Sequence, residues 1–273
     1  FGWMIPFAVF GISGGLAILT GLATWAVHRT RARGVARILF LAVAWTAAEW
    51  LRGHVLSGFP WNLLANAWIV LPDMLQGAAV VGAYGLGALT VLIAALPALW
   101  VERTASRRAQ AWGSVAALLL LAALWAGGAW RLAANPTRTV DGVRLRIVQG
   151  AIPQTLKWDP AERMRNFEIY LRLSAAPATV PVTHLIWPET ALDFRFQTAY
   201  AGARLSPAMG AALLRVVPAK GLLLTGIVRD DGRRTWNSLQ VLSPEGRIVD
   251  TYDKHHLVPF GEYVPARGIL RAL

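Results

Sequence analysis

The stretch TYDKHHLVPFGEYVP, residues 251–265, decides how the rest of the chain is read. It leaves a predicted strand, is punctuated by Pro259, Gly261 and Pro265, and carries one lysine and one glutamate, Lys254 and Glu262, in the resulting loop. Loops held by a rigid scaffold are where binding and catalytic side chains concentrate. A second acid, Glu189, follows the apolar run His184–Ile186 in HLIWPET, where Pro188 predicts a sharp strand exit with the carboxylate at a strand's C-terminal edge. Together these residues predict an acid/lysine site. By spacing alone they read equally as solvated loop charges and a helix-start cap.

Composition sets the setting. The 273 residues are 55% hydrophobic, with a mean hydropathy of +0.44. Soluble chains are usually about 45–50% apolar even when glycine is counted, so a membrane portion is expected. Ten of the thirteen tryptophans precede residue 131, a placement that fits rings at membrane interfaces or packing between helices. The formal charge of +12 comes mostly from arginine. In the first half the arginines form short clusters between apolar runs, the pattern of membrane anchoring, so no nucleic-acid partner is expected. There are no cysteines, hence no disulfide framework and no thiolate metal site. His255 and His256 are adjacent on an extended segment and point to opposite sides, with no third ligand at suitable spacing, so no metal is expected. No other cofactor is expected.

Taken in order, residues 1–135 predict a transmembrane domain with spans at about 5–27, 38–56, 74–100 and 112–130, each long enough to cross roughly 30 Å of hydrocarbon. Gly11 and Gly15 form a small-xxx-small pair in the first span. The second contains Glu49 and Arg52, three apart on one helical face, which read as a structural pair or as part of a substrate site. GFPWN, residues 58–62, follows as a re-entrant turn or interfacial anchor. GAYGLG, residues 82–87, lies within an apolar run, where glycines serve close helix packing better than nucleotide binding. Four arginines lie between spans one and two, no Lys or Arg from residue 57 to 73, and three arginines between spans three and four. The positive-inside rule then puts both basic loops in the cytoplasm and everything after Trp130 on the outer face, the periplasm in a bacterium.

From residue 136 the long apolar runs stop, and 136–142 reads as a linker. Strands are predicted at 143–150, 184–187, 221–228, 235–242 and 247–253, with helices at 160–175 and 206–217 and a hairpin turn at 243–246. Alternating strands and helices followed by adjacent strands predict an α/β domain with a mixed sheet.

WPET, YDKHHLVPFGEYVP and, far upstream, EWLRGHVLSGFPWN, in that order, resemble the apolipoprotein N-acyltransferase family, membrane enzymes with a nitrilase-type (carbon–nitrogen hydrolase) domain. The resemblance covers essentially the whole chain. It implies a multi-pass α-helical membrane domain followed, over 136–273, by the N-terminal part of a nitrilase-like α-β-β-α sandwich. It also implies a bacterial inner-membrane location with the catalytic domain on the periplasmic face.

Nitrilase-type domains use a Glu–Lys–Cys triad: a general base, an oxyanion-stabilising ammonium and a nucleophile. By resemblance Glu189 is the base and Lys254 the oxyanion group. Glu262 aligns with a glutamate the family requires, and Trp158, in QGAIPQTLKWDP, with a tryptophan near the acyl site. The family's cysteine lies further along, so the chain is expected to be a fragment truncated at both ends and unable to form an acyl-enzyme alone. The implied reaction moves an acyl chain from a membrane phospholipid, through a cysteine thioester, to the N-terminal diacylglyceryl-cysteine amine of an apolipoprotein. Two alternatives stand beside it: a membrane-tethered nitrilase or amidase with water as acceptor, and a catalytically silent scaffold.

Overall fold

A computed structural model describes residues 5–55, 58–192, 206–230, 234–258 and 262–263. The chain divides into two compact units, one of Phe1–Thr137 with Val258–Leu273 and one of Arg138–Leu257.

The first unit is helical. Helices α1 (Ile5–Arg29), α2 (Gly34–His54), α3 (Pro72–Leu75), α4 (Ala78–Ala95) and α5 (Arg107–Ala134) follow in chain order, with 3-10 helix at Leu64–Trp68 and Leu96–Trp100 in the connections. Four segments, Ile5–Arg29, Gly34–His54, Ala78–Trp100 and Arg107–Ala134, are long and apolar enough to cross a membrane. Their apolar side chains face outward, as with Phe10, Ile12 and Ile18 on α1, which suits a lipid surround and not water. The third predicted span is composite: it starts within α3, and Gly82 interrupts α4 with φ 71° and ψ 172°. Within GAYGLG, Gly82 is therefore a backbone break. Gly87 is the packing glycine, since a Cβ there would lie 3.2 Å from Glu49 Oε2. Gly11 and Gly15 meet nothing within 4 Å, so no helix approaches them among the described residues.

Glu49 is buried at 5% exposure. Its Oε1 accepts the Leu64 backbone N–H at 2.8 Å, capping the 3-10 helix after the GFPWN turn, and lies 3.8 Å from Arg52. The turn closes on α2 through Phe59 N–H to the Arg52 carbonyl at 2.6 Å. Gly58 is obligatory there, with φ 85° and a Cβ position only 2.0 Å from the Gly53 carbonyl oxygen. The Glu49–Arg52 pair thus ties a loop to its helix.

The second unit is one five-stranded sheet in chain order: β1 (Leu145–Ile147), β2 (His184–Ile186), β3 (Leu222–Asp230), β4 (Thr235–Leu242) and β5 (Ile248–Asp253). The first three strands run parallel and the last two join antiparallel. Helices α6 (Gln154–Lys157) and α7 (Arg163–Ala175) fill the crossover from β1 to β2, and α8 (Pro207–Val216) that from β2 to β3. Ser206 caps α8, its hydroxyl accepting from the Met209 N–H at 3.3 Å, with Pro207 in the first turn. Phe167 and Tyr170 of α7 and Leu213 and Val217 from the α8 side share a core with Leu185, Trp187 and Leu223, so both helices cover one face of the sheet. Trp187, 1% exposed, is pinned by donation from Nε1 to the Ser174 hydroxyl at 2.9 Å. The hairpin turn closes through Gly246 N–H to the Ser243 carbonyl, with Gly246 at φ 80°.

The chain thus comprises a helical unit with four segments able to cross a membrane and an α/β unit built on a mixed five-stranded sheet.

Candidate active site

The site begins where β2 stops. Its register with β3 reaches Ile186 opposite Leu224 and resumes as a parallel bridge between Leu192 and Ile227. The β2 side advances six residues (186 to 192) while β3 advances three (224 to 227), so three residues are extruded. Trp187 N–H donates to the Leu224 carbonyl and Ala191 N–H to the Gly226 carbonyl, leaving Pro188, Glu189 and Thr190 as the bulge. Pro188 has no N–H to lose from the ladder. Thr190, buried, takes up the turn at φ 48°.

This bulge lies directly on β3. A Cβ at Gly226 would fall 2.5 Å from the Pro188 carbonyl oxygen and 2.6 Å from both Glu189 Cα and Thr190 N. Only glycine admits that approach. Glu189 is thereby carried out of the core, its side chain 61% exposed.

Two donors meet it. Lys254 Nζ donates to Glu189 Oε1 at 3.1 Å, and Asn237 Nδ2 donates to the same oxygen. Oε2 receives neither bond. Lys254 follows the last residue of β5, and its backbone N–H donates to the Asn237 carbonyl at 2.8 Å. Asn237 therefore holds both members of the pair, one through its side chain and one through its main chain. On the preceding residue, Asp253 is gripped by Arg229 at 3.2 and 2.5 Å and by the Ser238 hydroxyl at 2.6 Å. The Arg229 hydrogen bonds, chief among these, hold the Asp253 carboxyl below its ordinary range. Arg229 also lies over the Trp236 ring at 4.0 Å, so three strands are cross-tied next to Lys254.

Glu189 borders two hollows. One, about 210 Å³, contains Gly226, Asn237, Tyr252 and Lys254. The other, about 290 Å³, contains Gln149, Lys157, Trp158, Asn166 and Tyr170. Lys157 Nζ donates to the Glu189 backbone carbonyl at 3.2 Å and lies 5.8 Å from the Trp158 ring centroid. Burial raises the Tyr170 pKa above its ordinary value. Among the described residues no group of three or more His, Asp or Glu gathers to hold a metal ion.

Of the residues singled out in the sequence, Glu189 and Lys254 are brought into contact, and Trp158 shares a hollow with Glu189. Glu262 belongs to the other unit, where its carboxylate accepts the Val258 N–H at 2.8 Å and its own N–H returns a bond to the Val258 carbonyl. Residues 259–261 and 264–265 of the opening motif lie outside the described residues.

Residues 1–96 match the family model of the apolipoprotein N-acyltransferase N-terminal domain, and residues 144–273 match that of carbon-nitrogen hydrolases. Curated proteins called apolipoprotein N-acyltransferase align over the full chain. The one from Bradyrhizobium diazoefficiens is 37% identical over 286 residues, covering 100% of this chain and 52% of that protein. The one from Caulobacter vibrioides is 39% identical over 282 residues, covering 100% and 51%. The chain belongs to the apolipoprotein N-acyltransferase family. It is a membrane protein, and it spans about half the length of the curated family members it matches.

Within this family span the sequence reading passed over Asn237, Gly226 and Lys157. Asn237 sits in the alternating strand TWNSLQVL, where a lone amide on one face was a visible signal. Lys157 stood beside Trp158 in the quoted KW pair. For Gly226 the signal was a glycine inside a strand, a mark of close backbone approach.

Proposed function

We propose that this chain supplies the membrane domain and the acid/lysine half of an N-acyltransferase of lipoprotein maturation. The observation that carries the reading is the direct contact of Lys254 Nζ with Glu189 Oε1 at 3.1 Å, across 65 residues of sequence. Lys254 and Asn237 both occupy Oε1, which leaves Oε2 to take a proton. In the proposed cycle Glu189 removes the proton of a cysteine thiol, and the sulfur attacks the acyl ester carbon of a membrane phospholipid. The Lys254 ammonium stabilises the tetrahedral oxyanion. The C–O bond breaks, the lysophospholipid oxygen takes the proton back from Glu189, and a thioester remains. The N-terminal amine of a diacylglyceryl-cysteine apolipoprotein then attacks the thioester carbon, Glu189 accepts the amine proton, and the thiolate leaves.

The thiol comes from outside these 273 residues, which contain no cysteine. Trp158 lines the acyl side of the site, and Glu262 supports the loop that follows Lys254. Residues 1–135 form the membrane domain and 136–273 the catalytic domain. The basic loops face the cytoplasm, and the catalytic domain faces the periplasm from the bacterial inner membrane.

The test uses the protein that carries this chain at the full length of its relatives, purified in detergent with phospholipid and a diacylglyceryl-cysteine peptide. Acyl transfer to the peptide amine is expected. Release of free fatty acid, or of ammonia from small amides, without transfer would replace this reading with the membrane-tethered amidase.

A further inference from the structure

The membrane unit carries a hollow of its own, at the junction of α1 and α2. One part, about 520 Å³, lies between α1, α2 and the 3-10 turn Leu96–Trp100, with Val27, Ile38, Leu41, Ala95 and Leu99 among its walls. That volume falls in the roughly 300–1,000 Å³ range of ligand sites. The adjoining part, about 400 Å³, is lined by Arg29, Arg31, Arg33 and Arg37 together with Glu102. Val27, Arg37 and Glu102 line both, so the apolar cleft opens straight onto the arginine basin.

The gathering of four arginines around one hollow follows from the chain path. Arg29 ends α1, Arg31 and Arg33 lie in the turn, and Arg37 is in the first turn of α2. The turn is fixed by Thr30, whose hydroxyl donates to the Val27 carbonyl at 2.7 Å and accepts the Ala32 N–H at 3.2 Å, with Arg31 at φ 54° and Gly34 at φ 57°. Among the described residues none of these four arginines forms an ion pair. Glu102, the one acid in the basin, accepts instead from the Thr104 hydroxyl at 2.8 Å. Four positive charges against one leave a surplus beside an apolar cleft. Guanidinium forks match phosphate oxygens bidentately, and basic pockets between membrane helices take acidic lipid head groups.

We propose that this cleft binds an anionic phospholipid, with its phosphodiester in the arginine basin and an acyl chain in the apolar part. Free phosphate shares the head-group chemistry but leaves the apolar part unfilled. Diffuse attraction to a charged membrane surface is a different arrangement, and the chain contains its own control. Arg107 and Arg108, at the start of α5, line neither part.

The test is native mass spectrometry of the 273-residue chain in a neutral detergent. The chain is titrated with phosphatidylglycerol, with phosphatidylcholine of the same acyl chains, and with inorganic phosphate. Phosphatidylglycerol is expected to bind at least tenfold more tightly than phosphatidylcholine, and millimolar phosphate is expected not to displace it. Arg33→Gln with Arg37→Gln should weaken phosphatidylglycerol binding at least tenfold, while Arg107→Gln with Arg108→Gln, the same change in charge, should alter it less than twofold. Ala98→Phe, which narrows the apolar part, should weaken it with every arginine in place. Helix content by circular dichroism separates loss of site from loss of fold, and the exposed arginine pairs decide the matter if Ala98→Phe misfolds. Equal losses in the two arginine pairs, equal binding of both lipids, or displacement by phosphate would each overturn the proposal.

Discussion

Glu189 Oε1 is the point on which the site turns, because it accepts from both Lys254 and Asn237. Each bond has its own consequence: Lys254 brings the charge, and Asn237 sets the direction of the carboxylate. A hydrogen bond to a charged group contributes roughly 1.5–3 kcal/mol when buried, and solvent at the exposed Glu189 reduces that toward the lower figure. Asn237→Ala in the full-length protein should therefore lower kcat about tenfold with little change in the KM for phospholipid. Steady-state kinetics with a diacylglyceryl-cysteine peptide checks this, and a KM effect alone would make Asn237 a binding group. The lone amide was visible in the strand but its role was not, because an amide in a strand has no chemistry of its own. Its role exists only once β4 lies beside both the bulge after β2 and the end of β5. Glu189 and Lys254, by contrast, were legible as charges at strand exits, and the proline after Trp187 announced the exit itself.

At the scale of elements, the bulge after β2 is what turns a buried strand into a presenting device. It depends on Gly226, where the chain of Pro188–Thr190 passes within about one carbon's width of β3. A Cβ there must displace backbone on both sides, and overpacking of this kind costs roughly 1–3 kcal/mol. Gly226→Ala should lower the unfolding midpoint of the α/β unit and increase amide exchange at Trp187 and Ala191, whose N–H groups bond β3 on either side of the bulge. Hydrogen–deuterium exchange of the intact chain measures it, and unchanged protection at both amides would show that the bulge does not rest on this glycine. Most elements were legible from period and punctuation. All five strands, α7, α8 and the hairpin turn formed within a few residues of the expected places, because turn residues and apolar alternation agree there. The third span was less legible. Apolar composition sees one long run, whereas Gly82 adopts a non-helical φ that composition does not register. The Gly11–Gly15 pair invited a helix contact and meets open space among the described residues.

At the scale of the whole molecule, two chemistries are joined in one chain. Four lipid-compatible segments precede a sheet whose parallel half gives Glu189 and whose antiparallel half gives Lys254. A soluble amidase has no need of the first part. The proposed acyl transfer, with donor and acceptor both held in the bilayer, does. The three separated motifs made this pairing readable from sequence, and the family matches over residues 1–96 and 144–273 agree with it. The contact between residues 65 apart was not readable, since it depends on the order and direction of β2 to β5. The most direct test of the central claim, that Glu189 is the general base of an acyl transfer, is the rate of thioester formation in the full-length protein with Glu189→Gln. The account predicts a fall of about 10²–10⁴-fold, the usual contribution of a positioned base, with phospholipid binding retained. Thioester formed at the unaltered rate would contradict it.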